Sequence, residues 1–249
     1  GSFWAKTFKN AAQKIEEETD GRVKFKVFPG GVMGSDQVVL RKMRIGQLQG
    51  AAVSVGALYD VYPALSLYSF PFLFESYEQV SYVRDRLDAK LKKGAREEGY
   101  VVPAIISGGF AYAMSKKPLR VFEDFKGRKV WVQENDQLTA NNLSDLGLNP
   151  IPLNIGDVLM GLETDLIDTL AAPPVLAIAL QWHTRLSHVL RLPLMPTHAS
   201  IILDKRVFDK LSPNDKEAVL THIQAAGEKI QKQNVIDNEE ALQAMKKQG

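Results

Sequence analysis

Histidine is the side chain most often used for proton transfer and zinc binding near neutral pH, and the chain contains four: His183, His188, His198 and His222. His183 and His188 lie five residues apart, a spacing that does not place both on one face of a helix. No paired carboxylate motif accompanies them, so the sequence predicts no zinc site. We expect surface or hydrogen-bonded histidines, with His198, beside Thr197, as the one candidate for contact with a ligand.

Other catalytic motifs are missing from the sequence. The chain has no cysteine, which excludes disulfides, thiolate catalysis and cysteine metal sites. The glycine-rich run at 29–35 has neither the spacing of a Walker loop nor that of a dinucleotide fingerprint, and it indicates a tight turn. No Gly-x-Ser-x-Gly nucleophile elbow occurs. The sequence therefore predicts a protein that is not an enzyme and that holds no cofactor and no metal.

Aromatic residues at the ends of predicted elements are better candidates for a function. Phe110, Tyr112, Trp131 and Trp182 fall at strand or helix ends, and further aromatic residues crowd the proline-bearing segment 62–74. Most aromatic residues in a chain of this size belong to the core. Ligands of α/β proteins, however, bind beyond the carboxyl ends of the strands. These four residues are therefore candidates for the wall of a binding cleft.

Composition excludes several classes of partner. Basic and acidic side chains are interspersed, 31 against 29, which predicts no nucleic-acid binding. No apolar run reaches the ~18 residues that a membrane span needs. No signal peptide is visible, which is what a mature or trimmed chain would show. With 45% hydrophobic residues, the 249-residue chain can bury the core of one large domain or of two lobes.

The elements that must position these residues alternate between helix and strand. Periodicity and end signals predict helices at 4–20, 38–45, 76–99, 136–147, 155–162 and 175–180, and a last one from Pro213 to the C-terminus. The first ends at Gly21, and Ser76 with Gln79 forms a capping box at the start of the third. Alternating or buried apolar runs predict strands at 22–28, 51–55, 101–106, 110–114, 128–132 and 166–170. This order predicts an α/β architecture with mainly parallel sheets. The extended segments 107–116 and 198–204 are candidate hinges.

Six short runs, in a fixed order and spacing over nearly the whole chain, carry a family resemblance. They include FPFLF at 70–74 and DFKGRKV at 124–130, and the full set is Gly21–Gly34, Phe70–Phe74, Ser115–Pro118, Asp124–Val130, Leu146–Pro152 and Gly161–Asp168. In these runs the chain resembles the periplasmic solute-binding subunits of tripartite ATP-independent periplasmic (TRAP) transporters, the DctP-like family.

The resemblance implies a two-lobed α/β periplasmic-binding-protein fold, with hinge strands and a long C-terminal helix. We expect an N-terminal lobe of residues 1–115 plus 200–222, a C-terminal lobe of residues 116–199, and a helix of residues 223–249 that packs across the lobes. Family members usually begin with a strand just before the region that matches Gly1. If that strand is missing, the sheet of the first lobe lacks a member.

The resemblance also implies a function. Such a protein binds a small-molecule ligand in its cleft by lobe closure and delivers it to TRAP membrane subunits in the periplasm. A lipid anchor and a periplasmic helical-repeat partner protein are compatible with this assignment. A protein-docking module without a small ligand is the alternative from another class, and an enzyme is the third.

The chain departs from the family where the ligand is held. Most relatives carry an arginine that grips the ligand's carboxylate, and Trp131 stands at the matching position. The arginine common near 109–112 is also missing, and the run at 168–173, Asp-Thr-Leu-Ala-Ala-Pro, is largely apolar. An indole offers one N–H and an apolar face, so burial of a carboxylate against it without a cation costs several kcal/mol, order of magnitude.

We therefore expect a hydrophobic or neutral ligand. The residues expected to line its site are Trp131, Phe110, Tyr112, Ala172, Pro173 and Trp182, with hydrogen bonds from Gln133, Asn135 and Gln181. The alternative is that Trp131 only packs in the core of the second lobe. A relocated cation such as Arg185 would then anchor a small organic acid.

Overall fold

The computed structural model describes residues 2–134 and 136–248. Its helices are α1 (Phe3–Glu18), α2 (Asp36–Arg44), α3 (Tyr77–Glu97), α4 (Gln137–Asp145), α5 (Val158–Glu163), α6 (Pro174–Ala179), α7 (Lys205–Phe208) and α8 (Pro213–Gln248). Its strands are β1 (Gly50–Ser54), β2 (Tyr100–Ser115), β3 (Lys129–Gln133), β4 (Asn149–Leu153), β5 (Thr169–Ala172), β6 (His188–Val189) and β7 (Met195–Asp204). Short 3₁₀ helices lie at Gly56–Leu58, Pro63–Ser69, Phe122–Phe125, Ile155–Asp157 and Trp182–Arg185.

The chain forms two compact units. Unit 1 contains residues 1–69, 76–108 and 198–234, and unit 2 contains residues 70–75, 109–197 and 235–249. The chain passes from one unit to the other within three elements, β2, β7 and α8. Residues 70–75 and 109–115 belong to unit 2. The predicted boundaries had placed both segments in the N-terminal lobe. Which residues move as lobes stays a prediction.

Unit 1 packs helices against the β1–β7 pair. β1 and β7 run antiparallel, from Gly50 opposite Leu203 to Ser54 opposite Ala199. The core brings together α1, β2, β7 and α8 and buries Ile15, Ile106 and Ile230 almost completely. One apolar stripe of α8 faces this core, because Val219, Ile223, Ala226 and Ile230 are all buried.

The predicted strand at 22–28 is wrong. The segment is extended, and its alternation is real, since Val23 is buried and Phe25 packs on the unit 1 core. A strand also needs a hydrogen-bonded neighbour, and none pairs with this segment among the described residues. Its start is held instead by Arg22, whose guanidinium lies 3.0 Å from the Asp215 carboxylate. Within the described part of the chain, β1 has a strand partner on one side only.

Unit 2 contains a mixed sheet in the order β6–β2–β5–β3–β4. β3 runs parallel to β4 and β5, whereas β2 runs antiparallel to β5 and β6. The expectation of mainly parallel sheets is therefore wrong, because β2 enters the sheet from unit 1 in the direction opposite to β5. The strand predicted at 166–170 lies later, at Thr169–Ala172, since the backbone turns at Asp165 (φ 55°).

The last helix has the length that the sequence predicts. α8 spans 36 residues without a proline after its first position. No helix among the described residues is long and apolar enough to cross a membrane.

Candidate ligand-binding site

The carboxyl ends of the parallel strands in unit 2 gather several predicted ligand residues. Gln133 ends β3 opposite Leu153, which ends β4. Ala172 ends β5, three residues beyond Thr169, which pairs with Val130 of β3. Gln133 and Ala172 therefore lie side by side at the carboxyl ends of β3 and β5. This edge, formed by the carboxyl ends of the parallel strands and not by an outermost strand, is where α/β proteins bind ligands.

Trp131 and Trp182 form a contact pair behind this edge. Their ring centroids are 5.3 Å apart and the ring planes are inclined by 62°, an edge-to-face arrangement. Trp182 is buried, with 1% of its surface exposed, while Trp131 is half-buried. The Trp131 indole N–H donates to the carbonyl of Leu153 at 3.0 Å. Since that single donor is used, the part of Trp131 that faces solvent offers an apolar surface only.

Tyr112 of β2, the strand antiparallel to β5, lies next to this edge. It lies directly opposite Ala172 in the β2–β5 pair and is half-buried. Phe110 lies two residues earlier in β2, on the same face of the strand, and is buried at 3% exposure. Burial raises the pKa of the Tyr112 phenol, and the nearby charge of Arg191 opposes that rise. The phenol is therefore neutral at physiological pH.

The connection after β5 completes the edge. Pro173 is the N-cap of α6 and is buried, as is Ala172 at 2% exposure, so both are apolar packing residues at this edge. Gln181 is exposed and takes a left-handed conformation (φ 61°) just before Trp182. Its amide side chain is thus available for hydrogen bonds. Asn135 lies outside the described residues.

Two arginines bear on whether the site holds an anion. Arg185, the predicted relocated cation, forms an ion pair with Glu163 at 2.7 Å. Arg191 is exposed, and it has no ion pair among residues 2–134 and 136–248. The Leu190 N–H donates to the Ala113 carbonyl at 2.9 Å, which continues the β6–β2 pairing and places Arg191 level with Tyr112. The guanidinium group of Arg191 thus belongs to the chain segment next to β2, at the level of the Tyr112–Ala172 pair.

Residues from three of the family landmarks, 115–118, 124–130 and 161–168, meet at the opposite end of the same strands. Lys116 forms an ion pair with Asp165 and lowers the pKa of that carboxyl group. The Lys129 backbone N–H donates to the Asp168 carboxylate at 3.2 Å, and its ammonium group donates to the Asp165 carbonyl at 2.8 Å. Asp168 also accepts from the Thr169 hydroxyl at 2.8 Å. These contacts hold the amino ends of β3 and β5 together, so these three landmarks have structural roles.

His198 is buried within unit 1. Its ring packs on Tyr68, with centroids 5.5 Å apart, and 5% of the residue is exposed. Neither ring nitrogen has a hydrogen-bond partner among the described residues. Burial, assisted by the charge of Arg84, lowers the pKa of His198 to about 3. The imidazole is therefore neutral and enclosed by the fold.

Other site types find no support in the described residues. No group of three or more acidic, histidine or cysteine side chains is arranged to hold a metal ion there. A groove of about 320 Å³ lies in unit 1 between α1 and residues 25–27. Lys9, Glu16 and Lys26 line it with apolar neighbours, and it contains none of the predicted ligand residues.

Two residues near the edge were not predicted from the sequence. Arg191 follows a two-residue strand that periodicity cannot reveal, and its position depends on the pairing with β2. Asn238 lies on α8, far along the chain, and its side chain bonds to the start of α6. No local motif distinguishes either residue.

The comparisons with known proteins agree on one family. A model of the DctP family, described as bacterial extracellular solute-binding protein, family 7, matches residues 1–249. The 2,3-diketo-L-gulonate-binding periplasmic protein YiaO of Escherichia coli K12 is 28% identical over 244 residues, which cover 94% of this chain and 72% of that protein.

Solved structures agree on the fold. A TRAP periplasmic solute-binding protein from Xanthobacter autotrophicus Py2, with bound β-D-galacturonate, superposes with a TM-score of 0.90 at 22% identity, over 98% of this chain and 82% of that one. One from Chromohalobacter salexigens, with bound D-glucuronate, gives 0.90 at 21%, over 99% and 82%. They confirm the predicted two-lobed α/β fold with a long C-terminal helix. The chain belongs to the DctP family of bacterial extracellular solute-binding proteins.

Proposed function

We propose that this chain is the solute-binding subunit of a TRAP-type transporter and that its ligand is hydrophobic or neutral where it meets unit 2. The observation that carries the proposal is the half-buried apolar surface of Trp131 and Tyr112, which lies next to the buried residues Ala172 and Pro173. Apolar ligand surface removed from water there contributes about 25 cal/mol per Å². Gln133 and Gln181 supply the hydrogen bonds that orient the ligand, and Asn135 is expected to supply another.

Trp131 is central to this proposal. The indole N–H is bonded to Leu153, so the ring has no donor left for a carboxylate. A carboxylate buried against it without a cation would lose several kcal/mol, order of magnitude. A flat or aliphatic ligand surface would instead stack on the ring without such a cost.

A thermal-shift screen tests the proposal. The library should pair each acid with its neutral amide or ester, because a ligand that binds only the folded state raises the melting temperature by mass action. We expect neutral members to stabilise the protein and Trp131→Ala to weaken the best of them, while Trp131→Phe retains most of the affinity. If only the acids stabilise the protein, or if Trp131→Ala binds the best neutral compound as tightly as the wild type, the proposal of a hydrophobic or neutral ligand is wrong. Mass spectrometry of a compound that co-purifies would identify the ligand directly.

A small organic acid is the second candidate. The solved relatives named above hold uronic acids, and Arg191 offers a cation level with Tyr112. Under this hypothesis Arg191→Ala abolishes the stabilisation by D-glucuronate or D-galacturonate. Arg185→Ala is the matched control, since Arg185 already pairs with Glu163 and its removal should leave acid binding unchanged. Unchanged acid binding in Arg191→Ala would remove Arg191 from the site, and loss of binding in Arg185→Ala would mean that the anion depends on Arg185 as well.

The remaining parts of the assignment follow the family. The proposed partners are a small-molecule ligand and TRAP membrane subunits, the proposed location is the periplasm, and the proposed role involves no catalysis. Capture by lobe closure is tested by small-angle X-ray scattering with and without the best hit of the screen. A scattering curve that does not change on saturation would contradict closure.

A docking module without a small ligand is the alternative from another class. It predicts no hit in the screen, together with binding to a protein such as a periplasmic helical-repeat partner. A saturable small-molecule hit excludes it.

A further inference from the structure

Asn238 is a buried amide on α8 in unit 2. Only 6% of the residue is exposed. Its side-chain oxygen accepts the backbone N–H of Val175 at 3.2 Å, a contact between residues 63 positions apart. Buried carboxamides are costly unless they are hydrogen-bonded, so this contact calls for a structural explanation.

The contact caps α6 from a distant part of the chain. The N-cap of α6 is Pro173, which provides no side-chain hydrogen bond to the first turn. Backbone N–H groups in the first turn of a helix have no partner within the helix. Asn238 accepts a hydrogen bond from one of them, the Val175 N–H. It thereby holds the start of α6 in place directly after Ala172 and Pro173.

The other side of the Asn238 amide lies against β2. Gly109 has a φ of +105°, and a Cβ there would lie 2.4 Å from the Asn238 side-chain nitrogen. The Gly109 carbonyl accepts from the Thr197 hydroxyl at 2.9 Å. Asn238 therefore packs between the start of α6 and the β2 residue that directly precedes Phe110.

The position of α6 in turn determines the position of Trp182. Leu176 and Ala177 of α6, and Leu180 directly after it, pack in the same apolar cluster as Trp182. The His183 ring nitrogen Nδ1 lies 3.2 Å from the Ala177 carbonyl, which ties the segment after Trp182 to the same helix. Trp182 then supports Trp131 through the edge-to-face contact.

We propose that Asn238 is a positioning residue for the ligand-binding edge of unit 2: by capping α6 against Gly109, it sets the placement of Ala172, Pro173 and the Trp131–Trp182 pair. The proposal that this edge binds a ligand belongs to the proposed function. The positioning itself is testable without a ligand, because two indoles in close contact give an exciton couplet in circular dichroism. The Trp131→Phe variant assigns that couplet to the pair.

The experiment compares Asn238→Ala with Asn234→Ala. Asn234 lies one turn earlier on the same helix, is equally buried at 6%, and donates to the Ser107 carbonyl at 2.7 Å in unit 1. It is therefore a matched control for the loss of one buried carboxamide. We expect Asn238→Ala to lose the couplet and Asn234→Ala to keep it. Asn238→Asp, which retains the acceptor for the Val175 N–H, should restore it.

The same couplet in the wild type and in Asn238→Ala, or its loss in both alanine variants, would overturn the proposal. If Asn238→Ala does not fold, Asn238→Gln and Asn234→Gln make the same comparison with the amide displaced by one methylene. Should the couplet respond as expected while no compound stabilises the wild type, the positioning role stands and the proposed ligand binding fails. The two conclusions are thereby separated.

Discussion

Trp131 and Trp182 stand edge to face in unit 2, with ring centroids 5.3 Å apart. Trp182 is buried and Trp131 is half-buried, so the inner ring fixes the orientation of the outer one. Because the Leu153 carbonyl also holds the Trp131 N–H, the outer ring has little freedom to turn. A rigid aromatic surface of this kind binds ligands at a low cost in conformational entropy.

The first prediction concerns this support. Trp182→Phe keeps an aromatic ring but leaves a cavity beside Trp131, and we expect it to lower the free energy of unfolding by about 1–2 kcal/mol. It should also increase the quenching of Trp131 fluorescence by acrylamide. Urea unfolding and quenching titrations measure the two effects, with Trp4→Phe as the control in unit 1. Unchanged quenching in Trp182→Phe would show that Trp131 keeps its orientation without the inner ring.

The second prediction concerns pH. Burial lowers the pKa of His198 to about 3 in the folded protein, whereas the unfolded chain has a value of about 6.5. Between these values the unfolded state binds a proton that the folded state does not, so stability falls as the pH decreases from ~6.5 toward ~3, by up to about 1.4 kcal/mol per pH unit. Above ~6.5 the residue contributes no pH dependence.

His198→Leu tests this assignment. Urea unfolding at pH ~7 and pH ~5 should show a loss about 2 kcal/mol smaller in the variant than in the wild type. The groups that face the imidazole, Tyr68 and Arg84, are unchanged in both proteins, so the difference isolates the histidine. Equal losses in the two proteins would mean that His198 is protonated in the folded state.

The third prediction concerns Gly109. Gly109→Ala introduces both a positive φ for a non-glycine residue and a collision with Asn238, and we expect a loss of about 2–4 kcal/mol. Gly147→Ala is the matched control, because Gly147 has φ +75° and a Cβ added there would meet no atom within 4 Å; it should lose about 1–2 kcal/mol. Equal losses of stability in Gly109→Ala and Gly147→Ala would show that the Asn238 side chain moves aside without a measurable loss of stability.

The fourth prediction concerns the landmark end of the sheet. Lys116→Met removes the ion pair with Asp165, and we expect only a small loss of stability in urea unfolding, since the Asp165 side chain is largely exposed. Its ligand profile in the thermal-shift screen should match that of the wild type. A changed ligand preference in Lys116→Met would place this end of the strands in the binding function.

The fold was largely predictable from the sequence because many of its elements begin and end at local patterns. The helix stops at Gly21, Gly99 and Gly147 all fall at residues with a positive φ, and the Ser76 hydroxyl caps α3 by accepting from the Gln79 N–H as predicted. The extended segment 22–28 shows the limit of such patterns. Alternation reports which side chains are buried, whereas a strand is defined by a backbone neighbour that can lie anywhere in the chain.

The candidate site was predictable in part for the same reason. Tyr112, Ala172 and Gln133 were expected near a ligand, and the structure places them at one sheet edge. Trp182 was expected to line the site, and it lies behind Trp131 instead of at the surface. Arg191 and Asn238 were missed because their places depend on strand register and on a helix packed from the far end of the chain.

In the sheet of unit 2, structural contacts and proposed ligand contacts lie at opposite ends of the strands. Lys116, Asp165 and Asp168 fasten the amino ends of the strands, while the side chains that would discriminate between solutes stand at the carboxyl ends. Substitutions at the half-buried Gln133 therefore leave the contacts at the amino ends unchanged. A library that varies only the partly or fully exposed positions there, Gln133 and Gln181, is therefore expected to remain mostly folded while the preference for a compound changes.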